Sequence, residues 1–179
     1  NPNHPLLKRL LVEAPGTYHH SVLVGNMAEA ATEAVGGNSL LARVGAYYHD
    51  VGKTKRPYFF IENQMGIENP HDRTSPTLST LIITSHVRDG VEMAREYGIP
   101  ERIIEFIREH HGTTLVSYFF TRATGSNPEV AYAEDDFRYE GPRPASKETA
   151  IVMLADSVEA AVRSMGRVSP DRIETVVRK

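Results

Sequence analysis

The sequence predicts an all-α domain, a bundle of about seven to nine helices. Three observations carry that expectation. Apolar residues recur at three- to four-residue spacing in segment after segment, as in LLKRLLV and AIVMLADSVEAA. Helix starts are written repeatedly: Ser75-Pro76 and Ser169-Pro170 combine a serine N-cap with proline at the first helical position, and Ser146 precedes KETAIVMLADSVEAAVRSM. No stretch alternates apolar and polar residues with period two, and no hairpin turn joins two such runs.

Taken in order, Leu6 to Val12 is expected as a short helix, broken by Glu13-Ala14-Pro15-Gly16. Thr17 is the expected N-cap of the next, Tyr18 to Val35, closed by Gly36-Gly37. On that helix His20, Val24, Met27 or Ala28, and Ala31 share a face, and the small residues Gly25, Ala28, Ala30 and Ala31 would let neighbours approach closely. Asn38 or Ser39 opens a third helix, Leu40 to about Asp50, with Leu41, Val44, Gly45 and Tyr48 inward. Lys55 to Thr74 reads as a long loop anchored by Phe59-Phe60-Ile61, and loops of that length are usually functional or disordered. The helix begun at Ser75-Pro76 carries LSTLIITSHV and is expected to be interrupted at Asp89-Gly90, with VEMAREYG as a separate helix ending at Gly98. Pro100 opens IPERIIEFIREHHG, with Ile103, Ile104 and Ile107 on one face. Thr113 to Ala123 is a further helix, and Asn127 to Ala145 a polar and aromatic loop or flexible insert.

At 179 residues the chain is expected to form one domain, 1–179, with a proper core. The absence of cysteine excludes disulfides, thiolate zinc sites, iron–sulfur clusters and cysteine nucleophiles. No apolar run approaches the ~20 residues that span a bilayer. A net charge of −3 argues against broad binding of polymeric nucleic acid but allows a small phosphate ligand in a local positive pocket. The chain opens without Met and closes on VVRK, so it is expected to be a piece of a longer protein.

The chemistry centres on GAYYHDVGKTKRP, Gly45 to Pro57. His49 and Asp50 end an apolar run there, and Gly52-Lys53 follows. A lone histidine is ordinarily a satisfied core or surface residue. Five of the eight, however, sit on or beside apolar helical faces: His20, His49, His86, His110 and His111. Burying five imidazoles is costly unless their nitrogens find partners. Asp156 likewise interrupts an apolar stretch, and an isolated buried carboxylate would be neutralised or would destabilise the fold. Metal ligation solves both problems. These donors are too many for one tetrahedral zinc and suit two divalent cations. Mixed nitrogen and oxygen ligands with open positions favour Mn²⁺ or Fe²⁺, with Zn²⁺, Co²⁺ or Ni²⁺ also compatible. Such a centre would be net positive and would attract a phosphodiester. Lys53, Lys55, Arg56, Arg73 and Arg88 flank the ligand segments, their plain alternative being a solvated face. Lys53 is read as a phosphate contact, with Arg56 and Arg73 as further substrate contacts. His19 is expected either to support the ligands from behind or to lie outside the site, and His4 and His71 are expected as non-ligands. No Walker A, Rossmann, G-x-S-x-G or H-E-x-x-H pattern is present.

His49-Asp50 with Gly52-Lys53, histidines on other helices and a late aspartate resembles the HD-domain metal-dependent phosphohydrolases. The stretches APGTYHHS, ARVGAYYHDVGKTKRPYFFIENQ, NPHD, HHGTTL and ADSVEAAVRSM resemble, over nearly the whole chain, the HD domain of the seven-transmembrane HD receptor family, which are bacterial cyclic di-AMP phosphodiesterases. The resemblance implies an all-α HD fold and a binuclear centre. His20, His49, Asp50 and Asp156 would hold one ion, and Asp50, His86, His110 and His111 the other, Asp50 bridging. It implies hydrolysis of cyclic di-AMP to linear pApA by a hydroxide that bridges the ions, with Asp50 as a catalytic residue; Lys53, directly after the His-Asp turn, is read as a second catalytic residue that assists at the phosphate. It also implies a place at the cytoplasmic face of the bacterial membrane, through regions outside this chain, and it is compatible with a homodimer. Groups reading adenine are expected in Tyr58 to Asn69 or around Tyr118 to Arg122. HHGTTLVSYF lacks the Gly-Tyr-Pro motif of the HD-GYP cyclic di-GMP phosphodiesterases, which counts against that substrate. The alternatives are a cyclic di-GMP or nucleotide phosphohydrolase, and a cyclic-dinucleotide sensor that does not cleave. The complete ligand set counts against a sensor.

Overall fold

The computed structural model describes residues 3–64, 66–165 and 170–178. Among them are eight α-helices and no strand: α1 Pro5–Glu13, α2 Pro15–Ala34, α3 Ser39–Tyr48, α4 Pro76–Glu96, α5 Glu101–Glu109, α6 Ser117–Ser126, α7 Lys147–Ser164 and α8 Pro170–Val177. The expected all-α bundle is therefore what the chain forms. Ser75 and Ser146 cap α4 and α7 as their sequences suggest, their side chains accepting from the N–H groups of Leu78 and Thr149. Ser169, expected to cap the last helix, lies outside the described residues.

Four expectations change. Pro15 does not break the chain but starts α2 at its first position, where the missing N–H is not needed. Thr17 is consequently inside the helix rather than its cap, and its N–H donates to Asn63 Oδ1 at 3.1 Å. The buried face of α2 runs through Thr17, His20, Ser21, Val24, Gly25, Ala28 and Thr32, which leaves Ala30 and Ala31 exposed. Helix α4 continues through Asp89-Gly90, because both residues serve tertiary contacts. Asp89 pairs with Lys55 (3.2 Å) and Arg56 (3.0 Å), and Gly90 lies against the backbone of Gly52. Residues 113–116 are not helical: Leu115 bridges to Arg138, and Val116 N–H donates to Phe137 O at 2.8 Å. The 127–145 insert is anchored by the same pairing and by Phe137, which is fully buried against Phe119 and Ala123.

The expected loop after α3 is a chain of 3₁₀ turns: Val51–Lys55, Pro57–Phe59, Ile61–Asn63 and Pro70–Arg73. Two larger apolar clusters flank the end of α3. In one, Leu6, Leu7 and Leu10 of α1 meet Ile103, Ile104 and Ile107 of α5 together with Val51 and Met93. In the other, Val24 and Ala28 of α2, Ala42 and Ala46 of α3, Phe106 of α5 and Val152 of α7 come together. The small residues on α3 set its distance from α2, α5 and α7, which drives its C-terminus into the middle of the bundle.

The turn after α3 is fixed by one close approach. A Cβ on Gly52 would lie 1.9 Å from the carbonyl oxygen of His86 and 2.5 Å from the amide of Gly90, both backbone atoms that cannot rotate away. Gly52→Ala is expected to destabilise the fold by about 3 kcal/mol or more in urea denaturation. Wild-type stability would show that α4 and this turn are not held as described.

Candidate metal centre

Helix ends deliver most of the site. His49 is the C-cap of α3 and His110 the C-cap of α5. His111 follows in a turn closed by Gly112, whose φ of 53° lies in the left-handed region that a side chain disfavours. His20 projects from α2, His86 from α4 and Asp156 from α7. The resulting atoms form two groups: Asp50, His86, His110 and His111 in one, and His20, His49 and Asp156 in the other, each within 4.8 Å. The seven residues singled out in the sequence are thus brought to one place.

Asp50 joins the groups with different oxygens. Its Oδ1 lies 3.2 Å from His86 Nε2 and 3.5 Å from His110 Nε2. Its Oδ2 lies 3.2 Å from His49 Nε2 and 3.6 Å from His20 Nε2. Asp156 Oδ1 completes the second group at 3.0 Å from His20 Nε2.

The imidazoles are oriented from behind. His49, His86 and His110 each place Nδ1 on the carbonyl oxygen three residues earlier, at 2.6, 2.6 and 2.9 Å. A carbonyl only accepts, so Nδ1 carries the proton and each Nε2 turns a lone pair to the centre. His86 Nε2 and His110 Nε2 then face one another at 3.2 Å, two lone pairs opposed. His20 Nε2, His49 Nε2 and both oxygens of Asp50 are buried without a hydrogen bond of normal geometry. Buried polar atoms left without partners and aimed at a common point are the arrangement a cation would satisfy, so the donor set fits divalent metal.

Burial, the largest influence on His110, pushes its pKa down to about 4, against the opposing pull of Asp50. Burial also holds His111 well below the ordinary value, although 23% of its side-chain surface stays open. Both imidazoles are therefore neutral, the form that ligates. For Asp50 and Asp156 burial acts upward, but neighbouring histidines (with Lys53 beside Asp50) outweigh it and hold both ionised. At His20 burial acts downward, and contacts to Asp156 and Glu159 outweigh it, raising the pKa to about 9.

Lys53 sits at the centre, its Nζ 2.7 Å from Asp50 Oδ2 and 2.9 Å from Glu62 Oε1. Arg56 and Arg73 have other partners, Asp89 (3.0 Å) and Glu68 (2.7 Å). His19 is exposed, His4 caps α1 with its ring nitrogen, and His71 holds the Phe59 carbonyl at 2.9 Å.

Three further groups escaped the sequence reading. Glu159 Oε2 lies 2.6 Å from His20 Nδ1, and its spacing from Asp156 on one face of α7 was a readable signal. Glu62 bridges Lys53 and Arg163 from a 3₁₀ turn, and Tyr139 stacks on His111 from the insert. No local periodicity marks either.

Helices bringing a histidine–aspartate pair together with histidines and an aspartate from other segments define a class, and residues 17–161 match the family described as HD domain. The chain belongs to that family. HD domains bind divalent metal, and the two groups of ligand atoms are where this chain has the donors for it. It is 59% identical over 178 residues to the cyclic-di-AMP phosphodiesterase PgpH of Bacillus subtilis (strain 168), an alignment covering 99% of this chain and 25% of that protein. It is 52% identical over 177 residues to the PgpH of Listeria monocytogenes serotype 1/2a (strain 10403S), covering 99% and 24%. The chain thus spans about a quarter of the length of these curated relatives. The crystal structure of the L. monocytogenes PgpH HD domain in complex with cyclic-di-AMP superposes with a TM-score of 0.94 at 52% identity, covering 99% of this chain and 82% of that one.

Glu62 gives a test of the buried charges. Burial would raise its pKa, but Lys53 outweighs burial and holds it at about 2, against 4.5 for a free glutamate. A depressed carboxylate contributes stability above its unfolded pKa and loses it as pH falls through the folded value. Glu62→Gln is therefore expected to cost on the order of 3 kcal/mol at pH 7, and less at pH 3. Chemical denaturation at the two pH values checks this, and an equal gap at both would contradict it.

Proposed function

We propose that this domain is a phosphodiesterase that opens cyclic di-AMP to linear pApA at a centre of two divalent ions. The observation that carries the reading is the division of Asp50, one oxygen toward each group of ligand atoms. The likeness to an HD domain crystallised with cyclic-di-AMP supports the substrate. Bound divalent cations would supply Lewis acidity, lowering the pKa of a water and offsetting charge on the phosphoryl oxygens.

The chain's own residues do the rest. His20, His49 and Asp156 would hold one ion and His86, His110 and His111 the other, with Asp50 offering an oxygen to each group. The Nδ1 contacts behind His49, His86 and His110 keep those imidazoles in the ligating tautomer. Lys53 offsets the charge of Asp50 and Glu62, its partners at 2.7 and 2.9 Å, and would turn its ammonium to a non-bridging phosphate oxygen of the substrate. A cavity of about 250 Å³ lies beside His111 and Tyr139, with Arg88, Arg95 and Arg108 in its wall, and would take part of the substrate. The exposed rings of Tyr58 and Tyr118 are candidates for stacking on adenine. Arg56 and Arg73 would reach substrate only by leaving Asp89 and Glu68.

Nitrogen-rich ligation with carboxylates favours Mn²⁺ or Fe²⁺. Among the described residues no helix is long and apolar enough to cross a membrane. A position at the cytoplasmic face of a bacterial membrane would come from regions outside this chain, and a homodimer belongs to the same reading.

Asp50→Ala is expected to lose bound metal and to lower turnover of cyclic di-AMP at least ~10²-fold. Metal analysis and chromatography of pApA check this in one preparation. Full activity with retained metal would sink the assignment. Wild-type protein turned over with cyclic di-AMP, cyclic di-GMP and deoxynucleoside triphosphates side by side should prefer the first. Tight binding without product in Mn²⁺ would make it a sensor instead.

A further inference from the structure

We infer that Tyr139 is a positioning residue for His111, so that the insert between α6 and α7 completes one half of the metal centre. The inference rests on the two-ion reading above and adds a dependence that reading does not contain. The other four imidazoles each have a hydrogen-bonding group behind Nδ1: a carbonyl for His49, His86 and His110, and Glu159 for His20. His111 differs: its Nδ1 faces inward, 3.9 Å from Asp156 Oδ2, and among the described residues neither of its ring nitrogens makes a hydrogen bond. Rings hold it instead. Tyr139 stacks on one side, centroids 4.1 Å apart and planes at 24°, and His110 lies 4.0 Å away, tilted by 45°. His86 stands nearly perpendicular to His111, with centroids 5.1 Å apart and planes at 87°.

Tyr139 is itself fixed to the turn that carries His111. Its N–H donates to Thr114 O at 3.0 Å, Arg138 donates to Thr113 O at 3.0 Å, and Phe137 O accepts from Val116 N–H at 2.8 Å. Buried Phe137 anchors this short ribbon in the α6 cluster. A flat face, held by backbone pairing, thus replaces the hydrogen bond that orients the other imidazoles.

The test is Mn²⁺ binding by equilibrium dialysis, with electron paramagnetic resonance to distinguish coupled pairs from isolated ions. Tyr139→Phe keeps the face and should bind two ions as wild type does, with a coupled spectrum. Tyr139→Ala should bind one ion normally and the other ~10–100-fold more weakly, leaving the spectrum of isolated Mn²⁺. Tyr139→Leu, which keeps bulk without the flat face, should follow alanine and covers the case in which alanine does not fold. Two normally bound ions in the leucine variant, or loss of an ion in Tyr139→Phe, would overturn the inference. A single ion in wild-type protein would overturn the two-ion reading itself, and this inference with it.

Discussion

A carboxylate taken out of water costs the fold several kcal/mol unless positive groups around it offset the loss, and Asp50 depends on that offset. It is almost wholly buried, and neither oxygen accepts a hydrogen bond of normal geometry. Lys53 offsets its charge from one side at 2.7 Å, and Glu62 anchors that lysine in turn. Four histidine Nε2 atoms converge on the remaining directions. Each has a lone pair or a proton to place, and bound cations would relieve the crowding. The bundle is arranged to make this tolerable: α3 ends at the centre because Ala42, Gly45 and Ala46 let it sink between its neighbours, and Gly52 lets the chain leave against α4.

The histidines at helix ends meet two needs together. The last carbonyls of a helix lack intrahelical partners. His49 and His110 supply Nδ1 donors to Ala46 and Ile107, and in doing so turn Nε2 inward. The helix end is thereby satisfied and the ligand oriented by one contact. His111 cannot share this arrangement, since it lies one residue further along and turns to the insert for support.

Much of the fold could be read from the chain because its signals are local. Ser75-Pro76, Ser146 and the apolar spacing of IPERIIEFI mark helices wherever they occur in space. The misreadings have two causes. Pro15 and Asp89-Gly90 look like breaks, but Pro15 fits a helix's first position, and Asp89 and Gly90 answer to Lys55, Arg56 and Gly52, far away in sequence. The site shows the same division. The seven clustered histidines and aspartates stood out because each was a polar group in apolar company. Tyr139 and Glu62 lie in irregular segments where an aromatic or an acid is unremarkable, and only long-range pairing brings them to His111 and Lys53.

The shared carboxylate at Asp50 is the point on which metal binding, charge balance and the proposed hydrolysis converge. Anomalous diffraction from Mn²⁺-loaded crystals addresses it directly. Two peaks are expected about 3.5–4 Å apart, one beside Asp50 Oδ1 with His86, His110 and His111, the other beside Oδ2 with His20, His49 and Asp156. A single peak, or two peaks that Asp50 does not touch, would contradict the shared-carboxylate centre.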